Sequence, residues 1–165
     1  MYLRMLKTKD APLMLEWMHD DFVVHDLKTD FAKKDLNDCL LFIANSLTDK
    51  DNINLAIVDD NDEYMGTVSL KHISIDSAEF AITVRSCAMG KGYSKFGMNE
   101  IINRGFMELK LNLIYWCVSP QNKRAVRFYE KNGFKRVSPL AIPIRGNYTK
   151  SQINEYYWFA ISSKA

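Results

Sequence analysis

The feature that most constrains this chain is a change of hydrophobic period around a pair of glycines. Residues 78–84 form a β-rich run, and the segment 89–94 that follows contains Gly90 and Gly92. A long stretch with apolar residues at helical spacing comes next, and residues 113–118 are then almost continuously apolar. A strand, a loop, a long helix and a buried strand in this order predict a parallel crossover unit inside a larger sheet.

The remaining elements lie on both sides of this unit. Asp10 is the expected N-cap of a first helix, with Pro12 in its first turn, and the apolar spacing of residues 36–47 predicts a second helix. A short helix is expected at residues 123–131, stopped by Asn132-Gly133. An irregular segment is expected at residues 138–152. Runs that predict further strands occur at residues 2–6, 53–58, 64–70, 134–137 and 155–161.

The order β αα βββ α β α ββ combines hairpins with one crossover, so the predicted fold class is α+β with a mixed central β-sheet flanked by helices. No internal repeat or flexible linker interrupts the 165 residues. We therefore expect one domain over residues 1–165.

Composition excludes several classes of function. The net charge is only +2, from 22 basic and 20 acidic residues, so no basic field predicts nucleic-acid binding. The longest apolar runs are too short to span a bilayer, and no targeting segment is evident. Cys39, Cys87 and Cys117 are widely spaced among apolar neighbours, which predicts buried, reduced thiols and a cytoplasmic location. The histidines show no metal-ligand spacing, so no metal is expected.

The glycine loop is a candidate anion site, because backbone N–H groups and the helix dipole converge there. A dinucleotide-binding fingerprint requires a further glycine where Lys95 stands, and a Walker loop requires Ser or Thr where Gly92 follows Lys91. Neither motif is therefore present. From this loop alone, an anion site and a plain strand-to-helix turn both remain open.

A second segment decides between these alternatives. The buried strand is followed by Asn-x-x-Ala-x-x-x-Tyr-x-x-x-Gly-Phe, which begins at Asn122 and ends at Phe134. Together with the glycine loop, it resembles the GCN5-related N-acetyltransferase (GNAT) superfamily over roughly residues 53–137. The loop departs from the family form Gln/Arg-x-x-Gly-x-Gly/Ala at Met89 and at Ser94.

The resemblance implies a GNAT fold and acetyl-CoA as cosubstrate. It implies that pantetheine pairs with the strand backbone from Ile82 to Val84 and that Asn122 hydrogen-bonds the cofactor arm. Arg124 and Arg127 are candidates to reach the phosphates, and the alternative is that they cover the solvent face of their helix. The amides implied to hold the pyrophosphate are those of Met89, Gly90, Lys91, Gly92, Tyr93 and Ser94.

The implied reaction is direct attack of a primary amine on the thioester, which requires a general acid and a general base. Tyr129 matches the family's acid, and the alternative is a core aromatic residue. Glu79 is the expected base. The alternative for Glu79 is an exposed strand carboxylate without a catalytic role, and His72 is the alternative residue for the base. Cys87 is expected to be a buried, inert thiol.

The acceptor depends on residues outside these motifs. A nucleotide-linked amino sugar requires cations, for which Lys28, Lys71 and Arg145 are candidates, and this small-molecule acceptor is preferred. A ribosomal-protein N-terminus, a polyamine, an antibiotic and a catalytically silent CoA-binding module remain alternatives. The acidic residues that would suit a peptide N-terminus are Asp20, Asp21 and Asp26. The aromatic run 156–159 suggests pairing with a second copy as a homodimer.

Overall fold

The computed structural model describes residues 1–163. Within that range a seven-stranded sheet is formed by β1 (Tyr2–Met5), β2 (Ile53–Val58), β3 (Tyr64–Lys71), β4 (Ser77–Val84), β5 (Leu113–Val118), β6 (Arg136–Val137) and β7 (Tyr157–Ser162). The α-helices of the same range are α1 (Ala11–Met18), α2 (Asp21–Val24), α3 (Leu36–Ser46), α4 (Tyr93–Met107), α5 (Lys123–Lys131) and α6 (Lys150–Glu155).

The strands lie in the order β1-β2-β3-β4-β5-β7-β6. β4 and β5 are parallel, and every other neighbouring pair is antiparallel. The crossover from β4 through α4 to β5 is therefore the unit that the glycine pair and the apolar periods predict. The α+β class with a mixed sheet is confirmed.

The sheet opens between β4 and β5. These strands pair only where Ser77–Glu79 faces Leu113–Tyr115, whereas β4 continues to pair with β3 as far as Val84, and β5 with β7 as far as Val118. Two strands held by different outer neighbours diverge beyond their last shared pair. Their facing backbone edges are left without a sheet partner on that side, and a cleft opens between them.

Apolar side chains fill both faces of the sheet. On one face, α4 and α5 pack through Met98, Ile101 and Val126 on a core that contains Trp116. On the other face, α1 and α3 pack on β2 and β3. α4 approaches the sheet closely at Gly97, where a Cβ atom would lie 2.5 Å from the Ile57 side chain. The crossover helix is thus held tightly at the level of the cleft.

Several sequence predictions differ from the structure in detail. α2 and α6 form where loops were expected, because Asp20 and Thr149 cap their N-termini through side-chain oxygens. The strand expected at 134–137 is reduced to the two residues of β6. Asp10 precedes α1 without a side-chain cap, because its carboxylate accepts from the Lys7 N–H and from Arg4.

One further expectation is wrong, and another loses its supporting argument. Cys87 is exposed rather than buried, whereas Cys39 is buried and Cys117 is half-buried. The aromatic run of β7 is not a free edge at its centre, because β5 pairs with one side of the strand and β6 pairs with the other side at Trp158 and Phe159. Trp158 and Phe159 are consequently part of the core. The homodimer stays a prediction, without the support of a free edge at Trp158 and Phe159.

Candidate active site

The cleft between β4 and β5 has a volume of about 320 Å³. Its floor is the half of β4 from Glu79 to Thr83, and β5 and the start of α5 form one wall. The loop after α2 and the segment before α6 cover its mouth. The side chains that line it include Asp26, Lys28, Lys71, His72, Glu79, Ile82, Cys117, Asn122, Tyr129, Tyr148 and Tyr156.

The glycine loop lies at the carboxyl end of β4, after a 3₁₀ turn at Ser86–Ala88. Gly90 and Gly92 have φ angles of +74° and +88°, which side chains with a Cβ rarely adopt. Gly92 is the residue before α4, so the first N–H groups of this 15-residue helix face the loop without intrahelical partners. The loop therefore has the geometry of an anion cradle.

The residues predicted to bind the cofactor do not all lie in the cleft. Ile82 and Asn122 line the cleft, whereas Val84 faces the core. The N–H groups of Met89 and Lys91 donate to carbonyls within the turn, so the helix-start amides of Tyr93 and Ser94 are the better-placed donors for a phosphate.

The α5 residues differ in how they face the cleft. The Asn122 side-chain oxygen caps α5 at the Ala125 N–H, 3.1 Å away, which leaves its NH₂ group for a ligand. Arg127 is exposed on α5 and is not among the residues that line the cleft. Arg124 packs on the Phe22 ring, 4.8 Å from its centroid, and donates to the Phe22 carbonyl.

Tyr129 lies on α5 at the inner wall of the cleft and is 7% exposed. Its ring packs against Trp116, Phe128 and Phe159, with centroids 5.3 to 5.4 Å apart. Burial, with a smaller contribution from Cys117, raises the pKa of Tyr129 well above its usual range. The hydroxyl is therefore protonated at neutral pH and held in one place, as a proton donor must be.

Glu79 lies at the other end of the cleft, where β4 and β5 begin to diverge. It is 3% exposed, so the alternative of an exposed strand carboxylate is wrong. The Tyr148 hydroxyl donates to its Oε1 atom, and Lys71 Nζ lies 3.6 Å from the same atom. The Oε2 atom is buried without a hydrogen-bond partner among residues 1–163, and His72 Nε2 lies 3.7 Å from it.

Tyr148 was missed by the sequence analysis, because it lies in a segment without periodicity or a recognisable motif. Its hydroxyl also accepts from the Cys117 thiol at 3.5 Å, and Lys28 Nζ lies 3.9 Å from its ring centroid. Burial is the largest cause of the raised pKa of Tyr148, and it raises the pKa of Cys117 to about 11. Both groups are therefore protonated at neutral pH.

The candidate acceptor residues are also separated by the structure. Lys28 and Lys71 line the cleft, and Arg145 donates to the His72 carbonyl at its edge. Of the three acidic candidates, Asp26 lines the cleft and pairs with His25 at 2.9 Å. Asp20 caps α2 and Asp21 lies exposed within that helix.

A second, mainly apolar cavity of about 350 Å³ lies between α1, α3 and the strands β3 and β4. Trp17, Phe31 and Phe42 contribute aromatic rings to it. It shares Phe31 and residues 81–83 with the cleft. The two cavities are therefore neighbours across the same stretch of β4.

Residues 1–163 lack the geometry expected of a three-ligand metal site or of a membrane-spanning helix. No group of three His, Cys, Asp or Glu side chains there has the geometry to hold a metal ion. None of the helices in that range is both long and apolar enough to cross a membrane.

Comparison with known proteins assigns the family. The family model of the acetyltransferase (GNAT) domain matches residues 1–135, most of the chain. The chain belongs to the GNAT acetyltransferases. The resemblance inferred from the glycine loop and the α5 segment is thereby confirmed, and so is the GNAT fold.

Individual relatives agree with this assignment. The acetyltransferase PseH of Campylobacter jejuni is 25% identical over 129 residues, which cover 78% of this chain and 79% of PseH. The spermidine N(1)-acetyltransferase of Vibrio cholerae is 38% identical over 58 residues, about a third of each chain. A crystal structure of the V. cholerae spermidine N-acetyltransferase with CoA and spermine superposes with a TM-score of 0.78, at 22% identity, over 99% of this chain and 95% of that one.

The chain is accordingly an N-acetyltransferase that uses acetyl-CoA. Its own features fit that cosubstrate. The gap between β4 and β5 exposes backbone of β4 for a long, thin arm, and the loop with left-handed Gly90 and Gly92 lies at the end of that gap, where a pyrophosphate would follow.

Proposed function

We propose that this GNAT enzyme acetylates the primary amine of a nucleotide-linked amino sugar by direct attack, with Glu79 as general base and Tyr129 as general acid. The observation that carries the proposal is the cleft itself. It has a buried carboxylate at one end, a buried and protonated phenol on its wall, and lysines at its mouth.

The cofactor arm would enter between the strands. When bound, acetyl-CoA supplies an activated acetyl group as a thioester. The backbone from Ile82 to Val84 would pair with the pantetheine amides, and the free NH₂ of Asn122 would donate to the same arm. The loop containing Gly90 and Gly92, with the amides of Tyr93 and Ser94, would hold the pyrophosphate. Arg127 would reach a phosphate only from the exposed face of α5.

Two proton transfers are then assigned to the side chains of the cleft. Glu79 would take a proton from the acceptor ammonium, because an amine attacks only in its neutral form. Tyr129 would give its proton to the leaving thiolate, and its raised pKa keeps it protonated until then. Positioning of the two reactants between these groups supplies much of the remaining rate acceleration.

Direct attack is supported over a covalent acetyl-cysteine route by the state of the thiols. Cys117 lines the cleft, but burial raises its pKa to about 11, so the thiolate nucleophile is scarce at neutral pH. Cys87 is exposed and lies outside the set of residues that line the cleft.

The acceptor class is supported by charge at the mouth of the cleft. Lys28 and Lys71 line it, and Arg145 lies at its edge, so a diphosphate would find cations beside the reacting amine. The neighbouring aromatic cavity, with Trp17 and Phe31, would accept planar or apolar parts of the same molecule.

Polyamines are the second candidate acceptor class, favoured by the similarity to spermidine acetyltransferases. Carboxylates are the complementary partners of a polycation. Here Glu79 is engaged by Tyr148 and lies near Lys71, and Asp26 is engaged by His25. A peptide N-terminus is supported less as the acceptor. Asp20 caps α2 and Asp21 lies within that helix, so neither carboxylate lines the cleft.

The test is a thioester-release assay at one acetyl-CoA concentration with UDP- and TDP-linked amino sugars, spermidine and N-terminal peptides. We expect the highest kcat/KM with a nucleotide-linked amino sugar. Lys28→Met should raise KM for that acceptor and should leave the KM for acetyl-CoA unchanged. Turnover of spermidine or peptides without turnover of any sugar would refute the assignment of the acceptor.

We also propose that residues 1–165 act as one domain and that the enzyme works in the cytoplasm. One seven-stranded sheet runs through the described range, which supports the first statement. The exposed free thiol of Cys87 suits a reducing compartment, which supports the second.

A further inference from the structure

Acetylation of an ammonium group releases a proton that the enzyme must return to solvent. As the C–N bond forms and the thioester C–S bond breaks, R–NH₃⁺ gives up two protons. One of them restores the proton that Tyr129 gives to the CoA thiolate, and the other is taken by Glu79. Because Glu79 is only 3% exposed, its protonated carboxyl group has little direct contact with water, and a neighbouring side chain that reaches solvent offers a route for the proton.

We propose that His72 is the proton relay that carries the proton from Glu79 to solvent after each turnover. The step is a transfer from protonated Glu79 Oε2 to the neutral His72 imidazole at Nε2, followed by release from the imidazolium to water. This inference rests on the proposed role of Glu79 as general base.

The geometry of Glu79 leaves one oxygen for this step. Oε1 accepts from the Tyr148 hydroxyl and faces Lys71. Oε2 is buried, has no hydrogen-bond partner among residues 1–163, and lies 3.7 Å from His72 Nε2. That separation exceeds hydrogen-bonding distance by about 0.5 Å, so a small rotation of the imidazole completes the contact. The His72 side chain is 37% exposed and therefore joins the buried oxygen to solvent.

The other groups around Glu79 cannot accept a proton at neutral pH. Lys71 is a cation with no acceptor atom. Burial raises the pKa of Tyr148, Tyr115 and Cys117, so these groups also remain protonated. The imidazole of His72, in its neutral form, has a ring nitrogen that can accept a proton. The titratable side chains that face Glu79 from the elements packed around it are Lys71, His72, Tyr115, Cys117 and Tyr148.

The backbone around His72 holds the imidazole at this place. His72 has a φ angle of +51°, an uncommon conformation for a residue other than glycine. Its N–H donates to Asn52 Oδ1 at 3.0 Å, and Arg145 donates to its carbonyl at 3.4 Å. The ring packs on Gly146, where a Cβ atom would lie 2.7 Å from Nε2. Hydrogen bonds with Asn52 and Arg145 thus hold the backbone of His72 in an uncommon conformation. In this conformation the ring lies beside Glu79.

The test is chemical rescue of His72→Gly. Glycine adopts the left-handed conformation without strain, and removal of the ring leaves space for exogenous imidazole. With a UDP-linked amino sugar as acceptor, or spermidine where it turns over faster, we expect kcat in dilute, non-nucleophilic buffer to fall about 10- to 100-fold. KM for acetyl-CoA should be unchanged, and added imidazole should restore kcat in a saturable manner.

Three further variants make the result unambiguous. His72→Asn should show the same loss of kcat and a weaker rescue by imidazole. Because Asn tolerates a positive φ, this variant replaces His72→Gly if that one is unstable. His19→Asn is the matched control, since His19 contacts the Lys34 carbonyl outside the cleft, and it should show neither loss nor rescue. An undiminished kcat in His72→Gly, or a loss that imidazole does not relieve, would overturn the relay. Full activity of Glu79→Gln would instead overturn the proposed base.

Discussion

Replacement of Tyr129 by Phe separates the chemical role of this residue from its packing role. The substitution removes one hydroxyl and keeps the ring, which contacts Trp116, Phe128 and Phe159 in the core. Because these ring contacts are retained, the free energy of unfolding should change by no more than about 1 kcal/mol. Loss of a positioned general acid should lower kcat by roughly 10²- to 10⁴-fold, which corresponds to about 3 to 5 kcal/mol in the activation free energy.

The assay measures kcat from thiol release and acetyl-CoA affinity by titration calorimetry. We expect a large fall in kcat with little change in affinity, because the phenol would act on the leaving group and not on cofactor binding. Tyr156→Phe is the matched control, since Tyr156 lines the same cleft and should retain parental kcat. If Tyr129→Phe kept the parental kcat, Tyr129 would be a packing residue and the reasoning from its raised pKa would be wrong.

Three further predictions address the loop, the base and the buried thiol. Gly92→Val should weaken acetyl-CoA binding at least about tenfold in calorimetry, because a β-branched residue cannot hold a φ of +88° without strain; parental affinity would contradict the loop assignment. Glu79→Gln should lower kcat about 10²-fold and flatten the acidic limb of the pH–rate profile, and an unaltered limb would move the base role elsewhere. Burial raises the pKa of Cys117 from 9.0 to about 11, so the unfolded thiol ionises first and stability falls as pH rises above 9. By pH 10 the free energy of unfolding of the parent should fall by up to about 1.4 kcal/mol more than that of Cys117→Ala. The measurement is denaturant titration at several pH values, and an equal fall in both proteins would refute this.

The crossover unit and the cofactor loop were determined by local sequence. The change from β to helical period, the glycine pair and the Asn-to-Tyr spacing of α5 are expressed within about 10 to 15 neighbouring residues, where steric and hydrogen-bonding rules are strong. Because the motifs are local, they were sufficient for the resemblance that implied roles for Ile82, Asn122 and Tyr129, and the folded structure brings all three to one cleft. Their α-helical and strand positions follow from the pattern without knowledge of the rest of the fold.

The tertiary structure alone decided which groups surround Glu79 and where the last strands lie in the sheet. Tyr148 is 69 residues from Glu79 in sequence and lies in a segment with no periodic pattern, so no local rule connects the two. The separation of β4 from β5 after their shared pairs follows from which outer strands they bond, and that pairing also placed β7 inside the sheet. Burial and the directions of side chains across a cleft depend on contacts between distant segments. Those contacts exist only after the chain has folded.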